Sequence, residues 1–374
     1  MATGEHNGYG PLAVMCLRGF EDRAKMVEKW IGEKTGNKKE KYILDINQVR
    51  FSNGEAKLQV KESVRGKDVF ILADIGNYSC TYKMFGSDNR MSPDDHFQDI
   101  KRAISAMNGR AKRITVVMPL LYASRQHRRM SRESLDCAIA LQELVALGAT
   151  NILSFDIHAP DIQNAIPTTT FDNILPSFAI LEKFIEEKGE KVHKDDMIVI
   201  APDTGATDRA KSYANMLGLD MGLTYKRRDY SVIVNGTNPV IEFAYLGRNV
   251  KGKTCVIVDD MIASGGTILD VAKELKDKGA KDVCIITSFA LFNEGCAEFD
   301  RLHKEGIISK VFSTNLSYVP EHIRKSPWFI EVDLTPFIAR VMVTLNRSES
   351  MTQVIDSRER IAGLLSKWKE KKKS

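Results

Sequence analysis

The stretch Val258-Asp259-Asp260-Met261-Ile262-Ala263-Ser264-Gly265-Gly266-Thr267 places an apolar run, two acids, a short loop of small residues and a helical pattern in that order. Gly265 and Gly266 permit positive φ and let backbone amides approach an anion. Ser264 and Thr267 add hydroxyl donors at the start of a helix whose dipole favours negative charge. Asp259 and Asp260 stand at the mouth of the same loop, where carboxylates accept hydrogen bonds from vicinal hydroxyls or hold a divalent ion. Phosphate at one end and a diol at the other describe a phosphorylated ribose. The plain alternative is an acidic strand end with a glycine-rich turn, but the order strand, acid pair, glycine loop, helix is far more restrictive than a glycine pair alone.

Four other clusters are ambiguous by themselves. Phe51-Ser52-Asn53-Gly54-Glu55 reads as a β-turn between strands or as an aromatic and polar contact surface. His158, after the apolar run of NILSFDIH, is a satisfied strand-end histidine or a ligand. Lys226-Arg227-Arg228 closes TYKRR as a solvated strand edge or as a clamp on phosphate charge, and Arg125 to Arg132 is a basic loop of open role.

These residues need a scaffold. Short apolar runs alternate with helical patterns: Leu12–Leu17, Val69–Ala73, Ile114–Met118, Ile152–Phe155, Met197–Ile200, Cys255–Val258 and Val283–Phe289. That rhythm predicts an α/β fold of mainly parallel sheets flanked by helices, with ligand chemistry at the carboxyl ends of the strands. An echo of Glu143-Leu144…Gly148-Ala149 in Glu274-Leu275…Gly279-Ala280 suggests two related halves. The charged stretch near Pro176 to Asp196 is the expected division, giving segments 1–176, 177–342 and 343–374, the last expected to pack back on the first, with mobile polar ends at residues 1–11 and in the Lys-rich tail.

A chain of 374 residues holds two domains of ordinary size. Its 43% apolar and 28% charged residues are the balance of a folded protein, and part of the +5 charge lies in Lys367, Lys369, Lys371, Lys372 and Lys373. No basic stripe interleaved with aromatics points to nucleic acid, and no run approaches the ~20 apolar residues that span a bilayer. Six cysteines without CxxC or CxxH spacing suggest neither zinc nor disulfides, and the N-terminus lacks a signal-peptide pattern, so the cytoplasm is expected.

The Val258–Thr267 stretch resembles the sugar-phosphate loop of type I phosphoribosyltransferases and, more closely, that of ribose-phosphate pyrophosphokinases. FSNGE, Val64-Arg65-Gly66, Arg125-Gln126-His127-Arg128-Arg129, Asp156-Ile157-His158-Ala159, Pro202-Asp203-Thr204-Gly205 and Lys226-Arg227-Arg228 resemble the same family in order, over nearly the whole chain. The resemblance implies two tandem phosphoribosyltransferase-like domains and attack of the ribose 1-hydroxyl on the β-phosphorus of MgATP, with AMP leaving.

It further implies that Phe51 stacks near adenine, Asn53 and Glu55 contact its edge, and Arg125 and Gln126 hold the nucleotide. His158 and Asp203 would coordinate Mg2+, Lys226 and Arg228 would reach the transferring phosphates, and Asp259, Asp260, Ala263, Ser264, Gly265, Gly266 and Thr267 would hold ribose 5-phosphate. Arg125–Arg132 would be a lid excluding water, and the protein a homo-oligomer, commonly a hexamer built from dimers, responsive to phosphate and ADP. Three residues depart from the family pattern: Ala263, His127 and Asn53 each stand where an aspartate is usual. Asn53 still offers a carbonyl to an amino group. Ala263 removes an acceptor beside the ribose, leaving open a different ribosyl phosphate or a catalytically weak regulatory relative.

Overall fold

The computed structural model describes residues 8–188, 192–228, 240–356 and 358–371, without the side chains of residues 226–228, 240–243, 353, 358 and 368–371. The chain begins β1 (Leu12–Cys16), α1 (Glu21–Thr35), β2 (Ile46–Arg50), β3 (Ala56–Val60), β4 (Asp68–Leu72), β5 (Thr81–Met84), β6 (Ser87–Arg90), α2 (Pro93–Met107), β7 (Arg113–Val117), α3 (Asp136–Ala146), β8 (Asn151–Phe155) and β9 (Thr170–Ile174). It continues α4 (Ser177–Lys188), β10 (Met197–Ala201), α5 (Thr207–Leu217), β11 (Asp220–Arg228), β12 (Val240–Leu246), β13 (Thr254–Ile262), α6 (Gly266–Asp277), β14 (Asp282–Ala290), α7 (Ala297–Lys304), β15 (Lys310–Thr314), α8 (Glu321–Arg324) and β16 (Phe329–Val332). Three helices close it: α9 (Thr335–Asn346), α10 (Thr352–Ile355) and α11 (Arg358–Lys371).

Two compact units form. The first comprises residues 1–176, 315–318 and 333–356; the second comprises 177–314, 319–332 and 357–374. The segment 343–374, expected to pack back on the first domain, is divided: residues 343–356 belong to the first unit and α11 to the second. The physical reason lies in α11, which packs on α4 and α5 of the second unit and places the Arg360 guanidinium 3.6 Å from the Phe178 ring centre. At the other end Tyr9 is tied down rather than free: its N–H donates to Asn346 O at 3.0 Å, and Arg113 stands 3.7 Å over its ring. The remaining terminal residues, 1–7 and 372–374, lie outside the described residues.

The first unit is built on a five-stranded sheet in the order β1-β4-β7-β8-β9, every pair parallel. Its inner strands are buried on both faces, as in the DVFIL run of β4, which is why they read as continuous apolar runs rather than alternating ones. Helix α2 starts sharply because Ser92 accepts the Asp95 N–H while the Asp95 carboxylate accepts the Ser92 N–H, with Pro93 pre-setting the first turn. Arg113 donates from Nε to Asp68 at 2.7 Å, a buried pair joining neighbouring strands β4 and β7.

In the second unit seven strands run β12-β11-β10-β13-β14-β15-β16; all neighbours are parallel except β12, which pairs antiparallel with β11. The core beneath includes Ile257, Leu269, Phe292, Phe299 and Trp328, and the fully buried Trp328 donates its indole N–H to Asp300 at 2.7 Å. Among the described residues no helix is long and apolar enough to cross a membrane.

Candidate functional site

The second unit carries the loop expected to hold sugar phosphate. Strand β13 is central, flanked by β10 and β14, so burial on both faces holds Cys255–Val258 rigidly and delivers Asp259 and Asp260 at its carboxyl end. Asp260 is buried, and the Asp259 carboxylate accepts the Asp260 N–H at 2.9 Å while the Asp260 carboxylate accepts the Met261 N–H at 2.8 Å. Burial, then the neighbouring Asp260 charge, raises the Asp259 pKa to about 8, with Arg209 pulling the other way from 4.0 Å. Two carboxyls crowded in low dielectric share one charge more readily than two, and both are prepared for a partner that brings hydroxyls or positive charge.

The chain then turns at Gly265, whose φ is +88°, and α6 starts at Gly266. A Cβ on Gly265 would lie 2.6 Å from Phe299 Cε2, and that ring cannot give, since it is stacked on Trp328 at 5.4 Å. Glycine is required there on both counts. At Gly266 a Cβ would meet nothing closer than Ser264 Oγ at 3.9 Å, so the amide end of α6 faces open space beside the exposed Ser264. Ala263 presents no polar side chain; its carbonyl accepts the Asn293 N–H at 2.9 Å.

Asp203 follows β10, next to β13, and its carboxylate accepts the Ala206 N–H at 3.0 Å, closing the turn into α5. It also contributes to raising the Asp259 pKa, so the two carboxylates share one electrostatic neighbourhood. Lys226 and Arg228 end β11, which has a register irregularity between Arg227 and Arg228; their side chains are outside the described residues. Arg209, on the first turns of α5, was not singled out from sequence, because a helical TDR has no motif character until the sheet brings it to Asp259.

The first unit carries the other residues. Phe51–Glu55 is the hairpin turn between β2 and β3: Phe51 N–H donates to Glu55 O at 2.8 Å and Gly54 N–H to Phe51 O at 2.9 Å. The turn and the contact surface are not alternatives, since the turn itself presents the Phe51 ring, 45% exposed, and holds Asn53 Nδ2 against the Glu55 carboxylate at 3.0 Å. Arg125 and Gln126 are exposed in the loop after Ala123, and His158 is exposed after Asp156. Ala123 and Asp156 have φ of +51° and +39°, unfavourable for side chains bearing a Cβ, so both loops are entered through a strained residue.

His127 and His158, separate in sequence, are brought together with ring centres 5.7 Å apart. Burial, then His158, hold the His127 pKa below its usual value, and its Nδ1 is buried without a hydrogen-bond partner. The residues expected to contact the base, Phe51, Asn53 and Glu55, and those expected to hold the sugar phosphate, 259–267, thus fall in different units of one chain.

A glycine loop, an acid pair and a helix N-terminus at the carboxyl end of a central parallel strand define the phosphoribosyltransferase class of α/β proteins. Residues 168–321 match the phosphoribosyl transferase domain family, and residues 24–148 match the N-terminal domain of ribose phosphate pyrophosphokinase. The chain belongs to the ribose-phosphate pyrophosphokinase family. A ribose-phosphate pyrophosphokinase from Mycoplasma pneumoniae is 30% identical over 313 residues, 83% of this chain and 87% of that one. One from Ralstonia nicotianae is 33% identical over 66% of this chain and 71% of its own. A phosphoribosylpyrophosphate synthetase from Mycobacterium smegmatis superposes with a TM-score of 0.72 over 90% of this chain and 98% of that one, at 25% identity.

Proposed function

We propose that this chain transfers the pyrophosphoryl group of MgATP to the 1-hydroxyl of ribose 5-phosphate, giving phosphoribosyl diphosphate and AMP. The observation that carries this is the Asp259–Asp260 pair held at the mouth of the Gly265–Gly266 cradle, in a chain that also bears the aromatic turn Phe51–Glu55. The cradle amides and Thr267 bind the 5-phosphate, and the acid pair orients the ribose hydroxyls. Phe51, Asn53, Glu55, Arg125 and Gln126 hold ATP, and Lys226 and Arg228 neutralise charge that develops on the transferring phosphates.

The Asp203 carboxylate is the oxygen donor that Mg2+ prefers, whereas the His158 imidazole is an unusual ligand for it. Among the described residues no group of three or more His, Cys, Asp or Glu is gathered for a metal, and Mg2+ is usually held by one or two protein ligands together with phosphates and water. His158 of the first unit and Asp203 of the second are each a candidate Mg2+ ligand, and bound Mg2+ would supply charge neutralisation at the phosphates. We further assign the chain to a homo-oligomer in the cytoplasm; its six cysteines are all free thiols, as a reducing compartment requires.

The test is to incubate the protein with MgATP and ribose 5-phosphate and resolve the products by chromatography; AMP and the 1-pyrophosphate should appear together. Because Ala263 leaves the loop without a carboxylate, a second reading is a different ribosyl phosphate as acceptor, which AMP formation only with another sugar phosphate would establish. Nucleotide binding without turnover on any sugar would leave a regulatory role. Lys226→Ala should lower kcat by about 10²–10³-fold with the fold intact; unchanged turnover refutes its role.

A further inference from the structure

Hairpin β5–β6 reverses through Phe85-Gly86, with φ of +48° and +81°. Two-residue turns with positive φ at both positions favour Asn-Gly or Asp-Gly, and a bulky aromatic at the first is an outlier. The ring gains no burial in return: at 79% exposed, Phe85 is the most exposed large apolar side chain among the described residues.

The hairpin is fixed against the Phe51–Glu55 turn. Phe85 N–H donates to Ser52 O at 2.8 Å, a Cβ on Gly54 would lie 2.7 Å from Met84 Sδ, and the Arg50 guanidinium stands 5.1 Å over the Tyr82 ring. A strained residue held by its surroundings, presenting an exposed ring on backbone bonded to a second exposed aromatic turn, is what a stacking surface for a flat ligand requires.

We propose that Phe85 is a further base-stacking residue of the nucleotide site, acting with Phe51 to select an adenine ring whose amino edge meets Asn53 and Glu55. This rests on the reading of Phe51–Glu55 as the base-binding turn. Stacking binds the base equally in the ground and transition states, so it lowers the KM for ATP and leaves kcat alone.

The test uses the full chain with Phe85→Asn, which suits the positive-φ turn and removes the ring, Phe85→Tyr, which retains a ring, and Phe51→Ala. ATP and GTP binding is measured by calorimetry alongside the kinetics. Phe85→Asn should weaken ATP binding and raise the KM for ATP about tenfold, narrow the preference for ATP over GTP, and leave kcat and the KM for ribose 5-phosphate unchanged, while Phe85→Tyr behaves as the parent.

If Phe51→Ala weakens ATP binding and Phe85→Asn does not, the role of Phe85 is overturned and the turn reading stands. If neither variant weakens it, the turn reading fails as well. A Phe85→Asn variant with unaltered nucleotide binding and a changed oligomer mass would show an inter-subunit contact instead, which also overturns the proposal.

Discussion

Asp259 shows how position alone can change what a side chain is. An exposed aspartate is ionised at neutral pH, but here burial and Asp260 raise its pKa to about 8. Below pH ~4 folded and unfolded chains both hold the proton; between ~4 and 8 only the folded chain holds it, so stability falls as pH rises, and above 8 the penalty is complete. Asp259→Asn should therefore match the parent near pH 4 and exceed it by about 2–4 kcal/mol at pH 9, while losing ribose-phosphate binding. Urea midpoints at the two pH values check this; a pH-independent difference would show that the acid pair is not strained.

At the level of elements, the junction of β13 with α6 joins a rigid strand to a loop with no room for change. Gly265→Ala meets both a left-handed φ and the immobile Phe299 ring, and should cost about 2–4 kcal/mol. Gly266→Ala, where the added methyl faces open space, should be far milder in stability and act on ligand affinity instead. Thermal melts with and without ribose 5-phosphate separate the two effects, and equal destabilisation by both would refute the assigned packing. The strands of this unit differ in how well sequence announces them. CVIVDD of β13 and the apolar half of β14 are legible because both faces are buried, whereas β11 (DMGLTYKRR) and β15 (KVFST) mix polar with apolar residues and gain strand character from their neighbours. Hairpin β5–β6 was not foreseen either, since TYKMFGSDNR lacks the usual turn pair.

For the molecule as a whole, one 42.0 kDa chain carries two α/β units, and the residues proposed for nucleotide and for sugar phosphate are distributed over both. A homo-oligomer built from dimers, as proposed, predicts a light-scattering mass that is an even multiple of 42.0 kDa in active fractions. A fully active species of one chain mass would refute it.

What the sequence by itself determined is chemistry that is local along the chain. The acid pair, the glycine loop and the helix start of residues 259–267 are contiguous, so their order alone implied a sugar-phosphate cradle, and continuous apolar runs implied parallel strands. The tertiary structure alone decided what depends on neighbours distant in sequence: Arg209 and Asp203 acting on Asp259, His127 beside His158, Phe85 fixed to Ser52, and α11 joining the second unit. Those relations arise from chain reversal and packing, and a one-dimensional pattern carries no term for them.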